Sequence, residues 1–251
     1  MGAPVMKQKL ISLCLLPILA FAQWEMDFDE LWASSSLTAK DYVQDGLVAM
    51  WDGIENAGWG KHDPNATVWK DLIGENDIGG FSSETHFGSS YFITGNKKNC
   101  ASFESYDAGA IKTVEIVIKS AGYDAIVIVC FSGSGYANRW FGLRANKTFN
   151  FAQRGDCATV ASPTSVHYYA GTSSSELTDL VPFSALYLDG VPVNKITNGM
   201  SWMGEGIGGS FNTVATEYSS SNIYSIRLYE RELTATEIAH NYSVDKARFG
   251  L

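Results

Sequence analysis

Between Gly46 and Glu230 the apolar residues come in short runs broken by glycine, serine, asparagine and aspartate, and no run keeps a helical period. That punctuation commits the chain to β-structure. Thr113 to Lys119 alternates, with Val114, Ile116 and Ile118 on one face and Glu115, Val117 and Lys119 on the other. Leu47 to Trp51 is a short apolar strand ending at Asp52-Gly53, and Ala125 to Phe131 is an apolar run of the length of a strand covered on both faces. Arg139 to Arg144 and Thr148 to Gln153 flank Ala145-Asn146-Lys147, where asparagine suits a tight turn. Ser184 to Leu188 and Val191 to Val193 flank Asp189-Gly190, a strong hairpin signal, and Pro192 assigns the returning arm to a sheet edge. Ile223 to Glu230 is a further alternating strand.

A single good helix is expected, at the end of the chain. Thr234-Ala235-Thr236-Glu237 forms a capping box, after which Ile238 and Tyr242 lie one turn apart. Many short strands and one terminal helix predict an all-β fold, a two-sheet antiparallel jelly-roll sandwich with a short C-terminal helix. A length of 251 residues suits one large sandwich or two small domains, and 45% hydrophobic residues supply ample core. No linker or repeat interrupts the text after Gly46, so residues 46–251 are expected to form one domain.

The first residues are set apart from that domain. Lys7 and Lys9, the apolar run Leu10 to Leu19 and the small residues of Ala20-Phe21-Ala22 have the order of a signal peptide over residues 1–22, with cleavage before Gln23. The apolar run is too short for a bilayer span, and no other stretch approaches that length. Residues 23–45, rich in acids and serine, are expected to be a lead-in arm. The sequence therefore predicts an exported protein: secreted, periplasmic or on the cell surface. Losing Lys7 and Lys9 takes the formal charge from −9 to −11, which disfavours nucleic acid and anionic lipid as partners. Cys100, Cys130 and Cys157 remain beyond the leader. An odd number leaves at least one thiol free; Cys130, in an apolar run, suits a buried thiol, which favours Cys100 with Cys157 as a pair while the pairing stays open.

Two stretches carry a family resemblance. Ile223-Tyr224-Ser225-Ile226-Arg227-Leu228-Tyr229-Glu230, continuing through Arg231-Glu232-Leu233 into the capped Thr234 to Ile238, resembles the closing strand and short helix of laminin G-like domains, members of the concanavalin A-like lectin/glucanase superfamily. Leu186 to Val193 is similar to the family's hairpin. Trp69-Lys70-Asp71-Leu72-Ile73-Gly74-Glu75-Asn76-Asp77 is similar to its Asp-x-Ser-Gly-Asn-Gly-Asn turn, with Ile73 at the serine position. The resemblance spans about residues 46–249 and implies a two-sheet jelly roll. Many members bind glycans or proteins and some hold calcium, so the ligand is not named by the fold.

Three constellations could carry chemistry. Glu25-Met26-Asp27-Phe28-Asp29-Glu30 matches the Glu-x-Asp-x-x-Glu pattern of retaining β-glucanases of the same superfamily, in which a strand aims its acids into one cleft. Here it begins just past the expected cleavage site, where a solvated acidic arm is the better reading; a glycoside hydrolase using Glu25, Asp27 and Glu30 is the alternative. The segment from Glu55 to Asp77 gathers oxygen donors, and Asp63, Asp71, Asn76 and Asp77 are candidate calcium ligands, against the simpler reading that they make turns. The closing strand offers Asn222 and Ser225 where calcium-binding relatives often place acids. Aromatics in or beside Gly/Ser/Asn-rich loops suit sugar stacking: Trp59, Trp140, Tyr168, Tyr169 and Trp202, with Trp59 and Trp202 expected to be the most exposed. Trp51 and Trp69 fall in strand-like segments and are expected in the core. No histidine pair has metal-ligand spacing and no Gly-x-Ser-x-Gly elbow is present. Asn65, Asn146 and Asn241 begin Asn-x-Ser/Thr sequons. Together these features predict a non-catalytic binding module for a glycan or a cell-surface or extracellular protein, with a structural surface or matrix module as a further alternative.

Overall fold

The computed structural model describes residues 37–94, 101–106, 111–120, 126–131, 139–143, 148–151, 156–159, 165–172, 185–193, 207–211 and 221–251; within these, side chains are described except at 102–106, 120, 126–131, 139–143, 148–151, 156–159 and 207–211. After a short 3₁₀ turn at Ala39–Asp41 come β1 (Leu47–Asp52), β2 (His86–Phe87), β3 (Phe92–Ile93), β4 (Ala101–Tyr106) and β5 (Thr113–Ser120). They are followed by β6 (Ile126–Phe131), β7 (Arg139–Leu143), β8 (Thr148–Phe151), β9 (Asp156–Thr159) and β10 (Val166–Thr172). The hairpin β11 (Ala185–Leu188) and β12 (Val191–Val193), β13 (Ile207–Phe211), β14 (Ser221–Tyr229) and the helix α1 (Ala235–Phe249) complete the described elements.

The strands form two sheets, an all-β sandwich. The 8-stranded sheet runs β12-β11-β10-β5-β14-β3-β2 with β1 on β14, and the 6-stranded sheet runs β4-β13-β6-β7-β8-β9. In the larger sheet β14 pairs along its length with β5, and its other edge is divided between β3 near Asn222 and β1 from Ser225 to Tyr229. The pairing is antiparallel apart from a parallel contact at Gly208 and Phe131. Asp189 and Gly190 both take positive φ, 51° and 74°, as a tight hairpin turn requires, and β12 with Pro192 is the edge strand.

Period-two alternation gives the larger sheet two apolar faces. Val114, Ile116, Ile118, Tyr169, Leu186, Ile226 and Leu228 pack with Ala49, Trp51, Trp69, Phe92 and Ala101 of β4, which places this core between the sheets. Val117, Tyr168, Ala170, Tyr224 and Tyr229 face the other way and meet Ile238 and Val244 of α1 with Ala39 and Tyr42. A bulge at Tyr224 shifts the register between Ile223 and Ser225, so Tyr224 and Ser225 both lie on the helix side. Residues 37–45, expected to be arm, belong to this layer: Tyr42 hydroxyl donates to Asp245 at 2.6 Å and Val43 N–H to Asn241 at 2.9 Å.

Charge is buried beneath the helix. Arg227 is 0% exposed and sits opposite Glu115 across β14 and β5. Its Nε donates to Glu115, and its two terminal nitrogens donate to Asp245 of α1 at 2.9 and 2.6 Å, a bidentate pairing suited to the planar guanidinium. Glu115 also accepts from the Tyr168 hydroxyl and from Asn241 Nδ2 at 3.0 Å, while the Tyr42 ring lies 4.0 Å from the guanidinium. Burial disfavours the charge on Arg227, but Asp245 and Glu115 outweigh it and hold the pKa above its ordinary value. At the far end of α1, Arg248 donates to Asp52, to Glu55 at 3.1 Å and to the Tyr42 hydroxyl at 3.0 Å. The capping box forms as expected, Thr234 accepting from the Glu237 N–H, and Gly250 closes the helix with φ of 71°.

Two stability tests follow from this layer. Arg227→Met, which strands two buried carboxylates, should lower the urea-unfolding free energy by about 3–5 kcal/mol, and adding Glu115→Leu and Asp245→Leu should restore part of the loss. Glu237 is held down to about 2 by hydrogen bonds from Arg231 and then Thr234, which outweigh its partial burial. Its folded pKa lies below the unfolded value, so its contribution is present above about pH 4.5 and is lost as the pH falls towards about 2. The gap in urea midpoint between the natural protein and Glu237→Gln should therefore be widest near neutrality and close as acid is added.

Candidate functional site

The loop following β1 presents an exposed indole on a fixed frame. Trp59 is 36% exposed, among the few large apolar side chains so placed among the described residues. It sits between Gly58 and Gly60, whose φ values of 117° and 67° belong to a conformation that side chains resist, and a Cβ at either would meet nothing within 4 Å. The turn is closed by backbone bonds: Gly58 N–H donates to the Glu55 carbonyl at 3.1 Å, Lys61 N–H to the Gly58 carbonyl at 2.9 Å, and Ala57 N–H to the Lys61 carbonyl at 3.2 Å. Below it, the Asn56 amide donates to the Asp63 carbonyl at 2.7 Å and accepts the Asp63 N–H at 2.8 Å.

Glu55 anchors this loop to the domain. One carboxylate oxygen accepts Gly60 N–H at 2.8 Å; the other accepts Ala39 N–H at 2.8 Å and Arg248 Nη2 at 3.1 Å. The carboxylate thus ties the tryptophan turn, the 3₁₀ turn and the end of α1 together. Lys40, from the 3₁₀ turn, holds its ammonium 5.3 Å from the centre of the Trp59 ring. A turn fixed in this way loses little backbone freedom when a ligand meets the ring it carries.

The other predicted site residues fare differently. Tyr168 and Tyr169 are strand residues of β10 at 0% and 1% exposure, not loop aromatics; successive strand positions send one ring under the helix and the other between the sheets, so neither can offer its face to a ligand. Trp140 lies on β7, opposite Cys130 of β6, and its side chain is outside the described residues. Trp202, the signal peptide, Glu25, Asp27, Glu30 and Cys100 are outside them altogether, and so is Asn146. Trp51 and Trp69 are core, at 1% and 0% exposure.

The candidate calcium ligands make turns. Asp71 is buried and accepts Met50 N–H and Ile73 N–H, both at 3.0 Å. Asp77 accepts Asp71 N–H at 3.0 Å and pairs with Lys70, and the Asn76 carbonyl accepts from the Trp51 indole at 3.0 Å. Asp63 accepts Asn65 N–H at 2.9 Å. Among the described residues no three His, Cys, Asp or Glu side chains converge as a metal site, and no helix is long and apolar enough to cross a membrane. Sequence reading missed Glu55 as an anchor and Lys40 as the partner of Trp59, since both contacts join segments that no local pattern relates.

No family model matches the chain, and no curated protein sequence matches it. Solved structures do. Trypanosoma rangeli sialidase in complex with the inhibitor DANA aligns over 91% of this chain and 38% of its own, at 15% identity and a TM-score of 0.56. Another structure of that sialidase aligns over 92% and 39%, at 14% identity and a TM-score of 0.55. The binding domain of Paraclostridial Mosquitocidal Protein 1 aligns over 78% and 52%, at 12% identity and a TM-score of 0.53. The likeness is one of fold, a β-sandwich, and this chain spans roughly two fifths of the sialidase and half of the toxin domain.

The geometry separates a supporting residue from a presented one. Asp71→Ala should lower the unfolding free energy by about 2–3 kcal/mol, since buried N–H groups lose their acceptor, whereas Trp59→Ala should change it by less than about 1 kcal/mol; urea titration of both variants checks this.

Proposed function

We infer that this chain is an exported, non-catalytic recognition module that binds a glycan or a surface protein at the rim of a laminin G-like sandwich. The observation that carries the reading is Trp59, exposed on a turn locked by Glu55 and flanked by two glycines that leave its approaches open. Flat indole faces stack on the C–H faces of sugars, and a pre-ordered ring spends less of the binding energy on its own ordering. The order of basic, apolar and small residues at the start of the chain supports export. The closing strand and capped helix support the laminin G-like assignment, and the similar structures include a sialidase and a toxin binding domain.

The reading is tested by glycan-array and affinity-gel binding of the chain lacking residues 1–22. Trp59→Ala should weaken binding about tenfold or more while leaving the unfolding transition in place. Binding that is indifferent to Trp59, or no binding to any polysaccharide or surface protein, would count against it.

A further inference from the structure

Resting on that reading of Trp59, we propose that the ligand is an anion-bearing saccharide, one whose sugar ring stacks on Trp59 while its carboxylate or sulfate group meets Lys40 and Lys61. The chain carries 27 acids against 18 Lys and Arg, so a cationic spot on it stands out against the field of the whole molecule. Lys40 is exposed and aims its ammonium at the ring face, 5.3 Å from the centroid. Lys61, also exposed, closes the same turn through its backbone N–H and carbonyl. Among the described residues neither lysine has an ion-pair partner.

The acids of this region are turned to other work. Asp41 accepts the Thr38 N–H at 2.6 Å and its hydroxyl at 3.0 Å. Asp63 accepts the Asn65 N–H at 2.9 Å, and Glu55 is buried among Ala39, Gly60 and Arg248. His62, exposed beside Lys61, has its Nδ1 at 3.2 Å from the Ile54 carbonyl. The exposed indole therefore faces the Lys40 ammonium, and the exposed Lys61 follows two residues later in the same turn. A lysine ammonium held at an exposed indole stands ready for a negative substituent on a sugar that meets the ring. Charge-assisted bonds at such a site are stronger than neutral ones and weaken as salt rises.

The test compares dextran, dextran sulfate and polygalacturonate on one affinity-gel series, with the natural chain, Lys61→Gln, the Lys40→Gln/Lys61→Gln pair and Trp59→Ala, each checked by thermal melting. Tighter binding of dextran sulfate or of polygalacturonate than of dextran by at least about fivefold is expected, and which of the two is retained tells sulfate from carboxylate. The double variant should lose that preference with its melting temperature unchanged, and Lys61→Gln alone, which leaves the Lys40–Trp59 contact in place, should lose part of it. Charged-polymer binding that the double variant keeps in full would overturn the inference. Dextran bound as well as the charged polymers, and lost only in Trp59→Ala, would overturn it and leave the recognition module standing. No polysaccharide bound by the natural chain would overturn the inference and leave only the surface-protein form of the recognition reading.

Discussion

A guanidinium shut away from water sets the terms for one side of this molecule. Arg227 projects from the strand that three others pair with, and its fork reaches a carboxylate on the neighbouring strand and another on the terminal helix. Leaving any of these charges alone in that place would be expensive, so the strand, its neighbour and the helix have to arrive together. Such a pairing discriminates among arrangements better than apolar contact does: a helix slid by one turn would keep its greasy contacts and lose its acceptor. The aromatic side of Tyr42 covers the cation while its hydroxyl binds the same aspartate, which brings the segment before β1 into the same layer.

From that layer the constraint passes outwards to the rim. Arg248, near the helix end, grips Asp52 and Glu55 where β1 runs out into its loop, and Glu55 in turn grips the tryptophan turn. Trp59 is consequently presented on a turn held by carboxylate and backbone contacts. The arrangement suits a surface that must meet a partner in one shape, since the ordering has been completed during folding.

Much of this was legible in the sequence, and the misses have physical reasons. The alternation of Val114, Ile116 and Ile118, the Asp189-Gly190 hairpin, the edge proline and the Thr234–Glu237 cap report local geometry, and local geometry is what a sequence states most directly. The alternation put Glu115 on the strand face opposite Val114, but nothing local reveals that a helix more than a hundred residues away will cover that face. Arg227 stood inside the recognised closing pattern without disclosing its two acceptors. Tyr168 and Tyr169 looked like loop aromatics because serines and a proline precede them, yet adjacent strand positions send them into separate cores. Gly-Trp-Gly announced an open turn; the glutamate that steadies it and the lysine beside it come from pairings across distant segments.

Asn241 heads a tripeptide that oligosaccharide transferases read, but in the folded chain its amide is spent on Glu115 and Tyr229 and its carbonyl oxygen on Val43, with no surface left to water. The tripeptide is therefore readable only before the helix settles. In a host whose secretory route attaches sugar to such tripeptides, a chain sugared at Asn241 could no longer seat that side chain, and the attached sugar would record a molecule caught before it closed.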